Sequence, residues 1–186
     1  DFAPGQHVYT CGAPRFVEGV FDAAIAHGWP TDALHREYFS VPEADAWVNQ
    51  PFELLLGRRT YDIFAAYWPG VTAGSGHQTI GDKFNRVAKH VATHRPDTLD
   101  WHNSHALQGD VVEAVRALKH QEGPPLLTQG SGELVRQLLA AGLVDELRLM
   151  TFPVLLGRGQ RLFGDDAQAA AFRLEQVTST PSGVLI

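Results

Sequence analysis

The sequence predicts an α/β fold: three layers, with helices on both faces of a mixed, mostly parallel sheet that closes in a C-terminal antiparallel hairpin. Three observations carry this. Short apolar or alternating runs take turns with amphipathic helical segments, the order that builds strand–helix–strand units. Several helical segments begin and end on suitable residues, Asp110 as an N-cap and Gly142 as a stop among them. Near the end, the runs Phe172–Val177 and Gly183–Ile186 look like closing antiparallel strands.

Taken in order, Gln6–Thr10 reads as a strand, and the turn Cys11-Gly12-Ala13-Pro14 follows it. Phe16, Val17, Val20, Phe21, Ala24 and Ile25 recur at helical spacing until Gly28, and Leu34–Val41 is a second strand. Phe52–Leu56 is a compact apolar strand closed by Gly57, and Thr60–Tyr67 a short helix ended by Trp68-Pro69-Gly70. Val71–Gly81 reads as a loop, Phe84–Lys89 as a helical turn, His90–Thr93 as a strand, and Trp101–Ser104 as another. Asp110–His120 is an amphipathic helix with Val111, Val112, Val115 and Leu118 inward and Lys119 and His120 at the negative end of its dipole. Pro125–Gln129 is a strand, Gly130-Ser131-Gly132 a turn, Glu133–Ala141 a helix, and Asp145–Phe152 a strand stopped by Pro153.

Bulk properties narrow the function classes. The 186 residues are 44% apolar, enough to bury a core. A net charge of −6 without a basic block gives no support to nucleic-acid or membrane-surface binding. Cys11 is the only cysteine, so neither an intrachain disulfide nor a cysteine zinc cage is possible. No apolar run approaches the roughly 20 residues of a membrane helix. The start, Asp1-Phe2-Ala3-Pro4-Gly5, lacks both a Met and the order of a signal peptide, so a processed or trimmed cytoplasmic chain is expected. The nine histidines form no metal-binding motif, and no metal is expected.

Two junctions carry chemistry. In Leu55-Leu56-Gly57-Arg58-Arg59-Thr60 a strand passes through glycine into a helix, which offers free N–H groups, a dipole end and two guanidinium groups to phosphate. Thr60 serves equally as an N-cap, and surface arginines are ordinarily solvated. In Leu127-Thr128-Gln129-Gly130-Ser131-Gly132-Glu133-Leu134 a second strand enters a helix through glycines that let a phosphate approach the backbone. It is neither a P-loop nor the spaced dinucleotide fingerprint, and an ordinary turn reads the same. The aromatic run Tyr61, Phe64, Tyr67 and Trp68 has the spacing of core packing.

These segments resemble a known family. Phe52–Phe64 with Tyr67-Trp68-Pro69, then Gly130–Leu134, then Gly142–Leu149, then Pro153–Gly159 and Leu162-Phe163 are similar, in order and spacing, to the riboflavin-biosynthesis reductase (RibD C-terminal) domain and its dihydrofolate reductase-like relatives. The resemblance implies a dihydrofolate reductase-like NADPH-binding domain over residues 51–186 and a reductase acting on a small pyrimidine, ribosylamino-pyrimidine or pterin-like molecule. It also implies a homodimer. By position, Gly57, Arg58, Arg59 and Thr60 hold cofactor phosphates, Thr93, His94 and Arg95 meet the adenosine 2′-phosphate, and Gly130, Ser131, Gly132, Glu133 and Leu134 hold the pyrophosphate.

The front departs from that pattern. Residues 1–54 resemble the nicotinamide-binding lobe of phthalate dioxygenase reductase and vanillate demethylase-type reductases, through Val8–Phe16, His27–Pro30 and Leu34–Phe39, and residues 1–50 form the strand–helix–strand segment of foreign origin. The chain therefore reads as a chimera, with no flavin or iron–sulfur cluster inferred. One expectation is that His7–Thr10 or Leu34–Phe39 fills a place in the sheet near Leu54; the other is a separate lobe. Catalytic residues stay unassigned: Glu37, Gln129 and Asp145 qualify by position alone, and Cys11 only if the front works as in its own family. The rival reading is a silent nucleotide-binding or scaffold protein, natural or engineered.

Overall fold

The computed structural model describes residues 8–11, 22, 25–26, 28, 30–31, 34–37, 49–71, 78–153, 161–164, 167, 169–180 and 183–186. The expected front helix, apart from Gly28 and a few neighbours, lies outside them, as do most of the Val71–Gly81 loop, Tyr38–Val41 and Val154–Gly159. The chain divides into two units, Asp1–Trp47 and Val48–Ile186. In the first, β1 (Val8–Cys11) and β2 (Leu34–Glu37) pair in parallel, with Val8 opposite Leu34 and Cys11 opposite Glu37.

The second unit is built on a four-stranded sheet in the order β5-β4-β3-β6. Its elements are β3 (Glu53–Gly57), α1 (Arg58–Tyr67), α2 (Gln78–Arg86), β4 (Lys89–Ala92), β5 (Ser104–Ala106), α3 (Val111–Lys119), β6 (Leu126–Leu127) and α4 (Gly132–Ala140). All three ladders are parallel. Both edges of β3 are taken, by β4 and by β6, while β1 and β2 pair with each other.

Leu54, Leu55 and Leu56 are all buried, as an inner strand of a parallel sheet covered on both faces requires. Leu55 packs with Val115 of α3 and with Leu134 and Leu138 of α4. Leu54 and Leu56 alternate to the opposite face. There Phe64 and Trp68 close on Phe84 at ring separations of 5.8 and 5.0 Å, and Tyr61 packs at 6.1 Å from Trp101. The aromatic run is core, as its spacing predicts.

Helix starts follow local chemistry. Asp110 caps α3 by accepting from the Glu113 N–H at 3.0 Å. α1 begins two residues earlier than its pattern suggests, at Arg58, because Gly57 in extended conformation acts as its N-cap. Gln78–Gly81, expected as loop, belongs to α2: Gly81 lies against Val71 and Trp68, whose side chains bury this turn. Lys89, expected in a helical turn, is the fully buried first residue of β4.

Among the described residues the C-terminal hairpin is not formed as a pair of strands. There, only isolated antiparallel bridges occur, Thr151 with Leu185 and Ser179 with Leu185. The reversal is local: Thr178 and Ile186 exchange backbone hydrogen bonds of 2.9 Å around a turn containing Gly183. Asp145–Phe152 and Phe172–Val177 form no ladder among the described residues. The physical reason lies in burial. Phe172, Leu174 and Val177 are 58%, 78% and 61% exposed, so no described layer covers the apolar face that stabilises a strand.

Candidate functional site

The two glycine junctions lie side by side at the C-terminal ends of β3 and β6, where ligands of parallel sheets bind. Two hydrogen bonds stitch them together. The Gly57 N–H donates to Ser131 Oγ at 2.9 Å, and the Ser131 N–H donates to Thr60 Oγ1 at 3.0 Å. Ser131 is thereby committed to β3, and α4 starts without a side-chain cap; so does α1. Two uncapped helix starts therefore face the same end of the sheet, each with first-turn N–H groups that have no intrahelical acceptor and with a positive dipole end.

The backbone here tolerates few alternatives. Gly130 has φ +67°, and a Cβ on it would stand 3.4 Å from Thr60 Oγ1. Ser131 is also left-handed, at φ 54°, so two successive residues adopt a conformation that turns β6 sharply into α4. At Gly132, apart from its chain neighbours and its own helix backbone, no atom lies within 4 Å of where a Cβ would be, so the start of α4 is open to approach. Leu134 contributes only backbone, because its side chain is core. The Glu133 carboxylate is held by Arg136.

Arg58 is more engaged than its sequence setting suggests. Its Nε bonds Asp62 Oδ1 at 2.8 Å, while Nη1 donates to Thr93 Oγ1 at 3.3 Å, the Arg95 carbonyl at 3.0 Å and Thr98 Oγ1 at 2.7 Å. It ties the start of α1 to the loop after β4. Thr93 Oγ1 also accepts from the Arg95 N–H at 3.0 Å. Arg59 and His94 are exposed, and Arg95 is 64% exposed with Asp62 3.6 Å from its Nη2. All the residues expected to bind cofactor thus come from strand ends, helix starts and loops at one end of the sheet. Two partners were not read from the sequence: Asp62, legible in principle as the i+4 partner of Arg58, and Thr98, which has no local signal.

The other candidates fall elsewhere. Asp145 is tied to Lys119 at 2.5 Å, Glu37 stands in β2, and Cys11 stands opposite it in β1. Gln129, immediately before Gly130, has a buried Oε1 without a hydrogen-bond partner. A cavity of about 510 Å³ is lined by Ala65, Pro69, Asn85, Asp100, Trp101 and His102, none of them an expected site residue.

A sequence model of the RibD C-terminal domain matches residues 26–186, most of the chain. The chain belongs to the RibD C-terminal domain family. It is an oxidoreductase by that membership. The match begins ahead of the boundary expected at residue 51. A protein of Shewanella sp. PV-4 assigned to riboflavin biosynthesis shares the fold, at TM-score 0.57 and 19% identity, over 79% of this chain and 77% of that one. YyaP of Bacillus subtilis, a protein without an assigned activity, is 27% identical over 75% of this chain and 73% of its own. The second resemblance is also present. A vanillate O-demethylase oxidoreductase of Acinetobacter baylyi is 37% identical over 67 residues, 35% of this chain. A phthalate dioxygenase reductase of Burkholderia cepacia is 36% identical over 55 residues. The chain spans only 21% and 16% of those two proteins.

Proposed function

We propose that this chain is an NADPH-dependent reductase acting on a small pyrimidine, ribosylamino-pyrimidine or pterin-like substrate. The observation that carries the proposal is the stitched pair of uncapped helix starts at Gly57–Thr60 and Gly130–Leu134, which offers two sets of backbone donors to a pyrophosphate. The cofactor, when bound, supplies the hydride at nicotinamide C4. The residues supply position and charge. Gly132 leaves room for an oxygen to approach the α4 N–H groups, and Gly130 permits the turn that aims them. Arg58 fixes the loop Thr93–Thr98, so that Arg59 and Arg95 stand as the guanidinium groups for an adenosine 2′-phosphate. A homodimer is part of the proposal.

The test is titration of the chain with NADPH and with NADH. Arg95→Ala and Arg59→Ala are expected to weaken NADPH about tenfold, the value of one charge-assisted contact, and to leave NADH nearly unchanged. Equal losses for both cofactors would refute the 2′-phosphate role. A second reading, a nucleotide-binding protein without turnover, is favoured by one observation: Asp62 and Glu133, the carboxylates at the junctions, are each held by arginine. NADPH binding without oxidation at the nicotinamide absorbance band, across pterin and pyrimidine substrates, would select it.

A further inference from the structure

Gln129 follows β6 and precedes Gly130, so it stands at the edge of the stitched junctions. Its Oε1 is buried and lacks a hydrogen-bond donor. An unpaired buried acceptor destabilises the fold, and a leucine or methionine would fill the same volume without that loss. Among the described residues two other buried side-chain atoms share this condition, Trp68 Nε1 in the aromatic cluster and Ser104 Oγ on the edge strand β5. Gln129 alone of the three adjoins the proposed cofactor site.

The chemistry of an amide oxygen limits what could satisfy it. It accepts only, so it cannot serve the pyrophosphate, whose oxygens are acceptors too. It needs an N–H or O–H from the ligand. Direction comes from strand order: Thr93–Arg95, proposed for the adenosine end, follow β4, the phosphates lie at the β3 and β6 junctions, and Gln129 stands on the far side of β3 from β4. The nicotinamide half would therefore extend toward Gln129. Resting on the proposed cofactor site, we infer that Gln129 Oε1 accepts a hydrogen bond from the carboxamide N–H of the bound nicotinamide. Gln129 fixes the rotation of the ring and hence the face presented to substrate, a positioning role that sequence position alone could not establish.

The experiment compares NADPH with its reduced acetylpyridine analogue, which keeps the ribose and phosphates but replaces the carboxamide with a group that has no N–H. Calorimetric titration of the full chain should show NADPH bound about tenfold more tightly than the analogue. Gln129→Met should bind both at the analogue's affinity, with thermal stability unchanged or raised, because the buried acceptor is gone. Gln129→Glu, which keeps an acceptor oxygen, should retain the preference. The inference is overturned if Gln129→Met still prefers NADPH, if it weakens both ligands equally, or if it melts well below the unaltered protein, a sign of a purely structural role. Unaltered protein that binds NADPH without preferring it to the analogue removes this inference alone. Failure to bind NADPH at all removes the cofactor reading and the inference together.

Discussion

Lys89 shows how a single residue can be misread from its neighbours and then govern the packing around it. Its ammonium donates to the carbonyls of Asn85 at 3.1 Å, Val87 at 2.8 Å and His102 at 2.8 Å, and stands 4.4 Å from the Trp101 ring centre. It ties the end of α2 to the segment entering β5, and no carboxylate is needed. Burial lowers its pKa from 10.5 to about 8. Between those values the unfolded chain binds more protons than the folded one, so this residue makes stability rise as pH climbs from about 8 to 10.5. Below about 8 it is charged in both states and adds no slope. Lys89→Met should lose about 2 kcal/mol at neutral pH, from carbonyls left unpaired, and should also lose this part of the slope. Urea denaturation at several pH values would check both, and an identical slope in the variant would contradict the assignment.

At the scale of elements, helix starts divide into one with a side-chain cap and two without, the two that the proposal assigns to cofactor phosphates. α3 has a side-chain cap in Asp110, so Asp110→Ala should cost about 1 kcal/mol in a chemical denaturation midpoint and leave cofactor affinity alone. α4 gives up its cap, because Ser131 Oγ is spent on the Gly57 N–H. Gly130→Ala should act on both properties. The residue must take φ +67° and meet Thr60, at a cost of about 1–2 kcal/mol, and the displaced turn should weaken NADPH. A variant with full stability and full affinity would show that the left-handed turn is not needed.

For the whole molecule, the exposed apolar residues of the C-terminal segment are the feature that the described chain does not explain by itself. Phe172, Leu174 and Val177 lie largely in solvent while Val184 nearby is buried. The proposed homodimer gives such a surface a partner, since contiguous exposed apolar residues commonly mark contacts. Light scattering should then report twice the 20.4 kDa chain mass, and Leu174→Lys should shift it toward the monomer. A monomer at micromolar concentration in the unaltered protein would rule the pairing out. Among the described residues no helix is long and apolar enough to cross a membrane.

The sequence by itself determined the strand–helix order, the inner strand at Leu54–Leu56, the Asp110 cap, the aromatic core and the family. Each of these is written in local periodicity or in a contiguous motif. It also marked both glycine junctions, but as separate turns. Only the tertiary structure decided that Ser131 and Thr60 join them, that Arg58 spends its guanidinium on Asp62, Thr93 and Thr98, and that Gln129 has a buried oxygen with no donor. It also decided that the C-terminal runs stop at isolated bridges. The reason is common to all four. Hydrogen-bond partners and covering layers come from residues distant along the chain, and a pattern of periodicity says which face is apolar but not what will meet it.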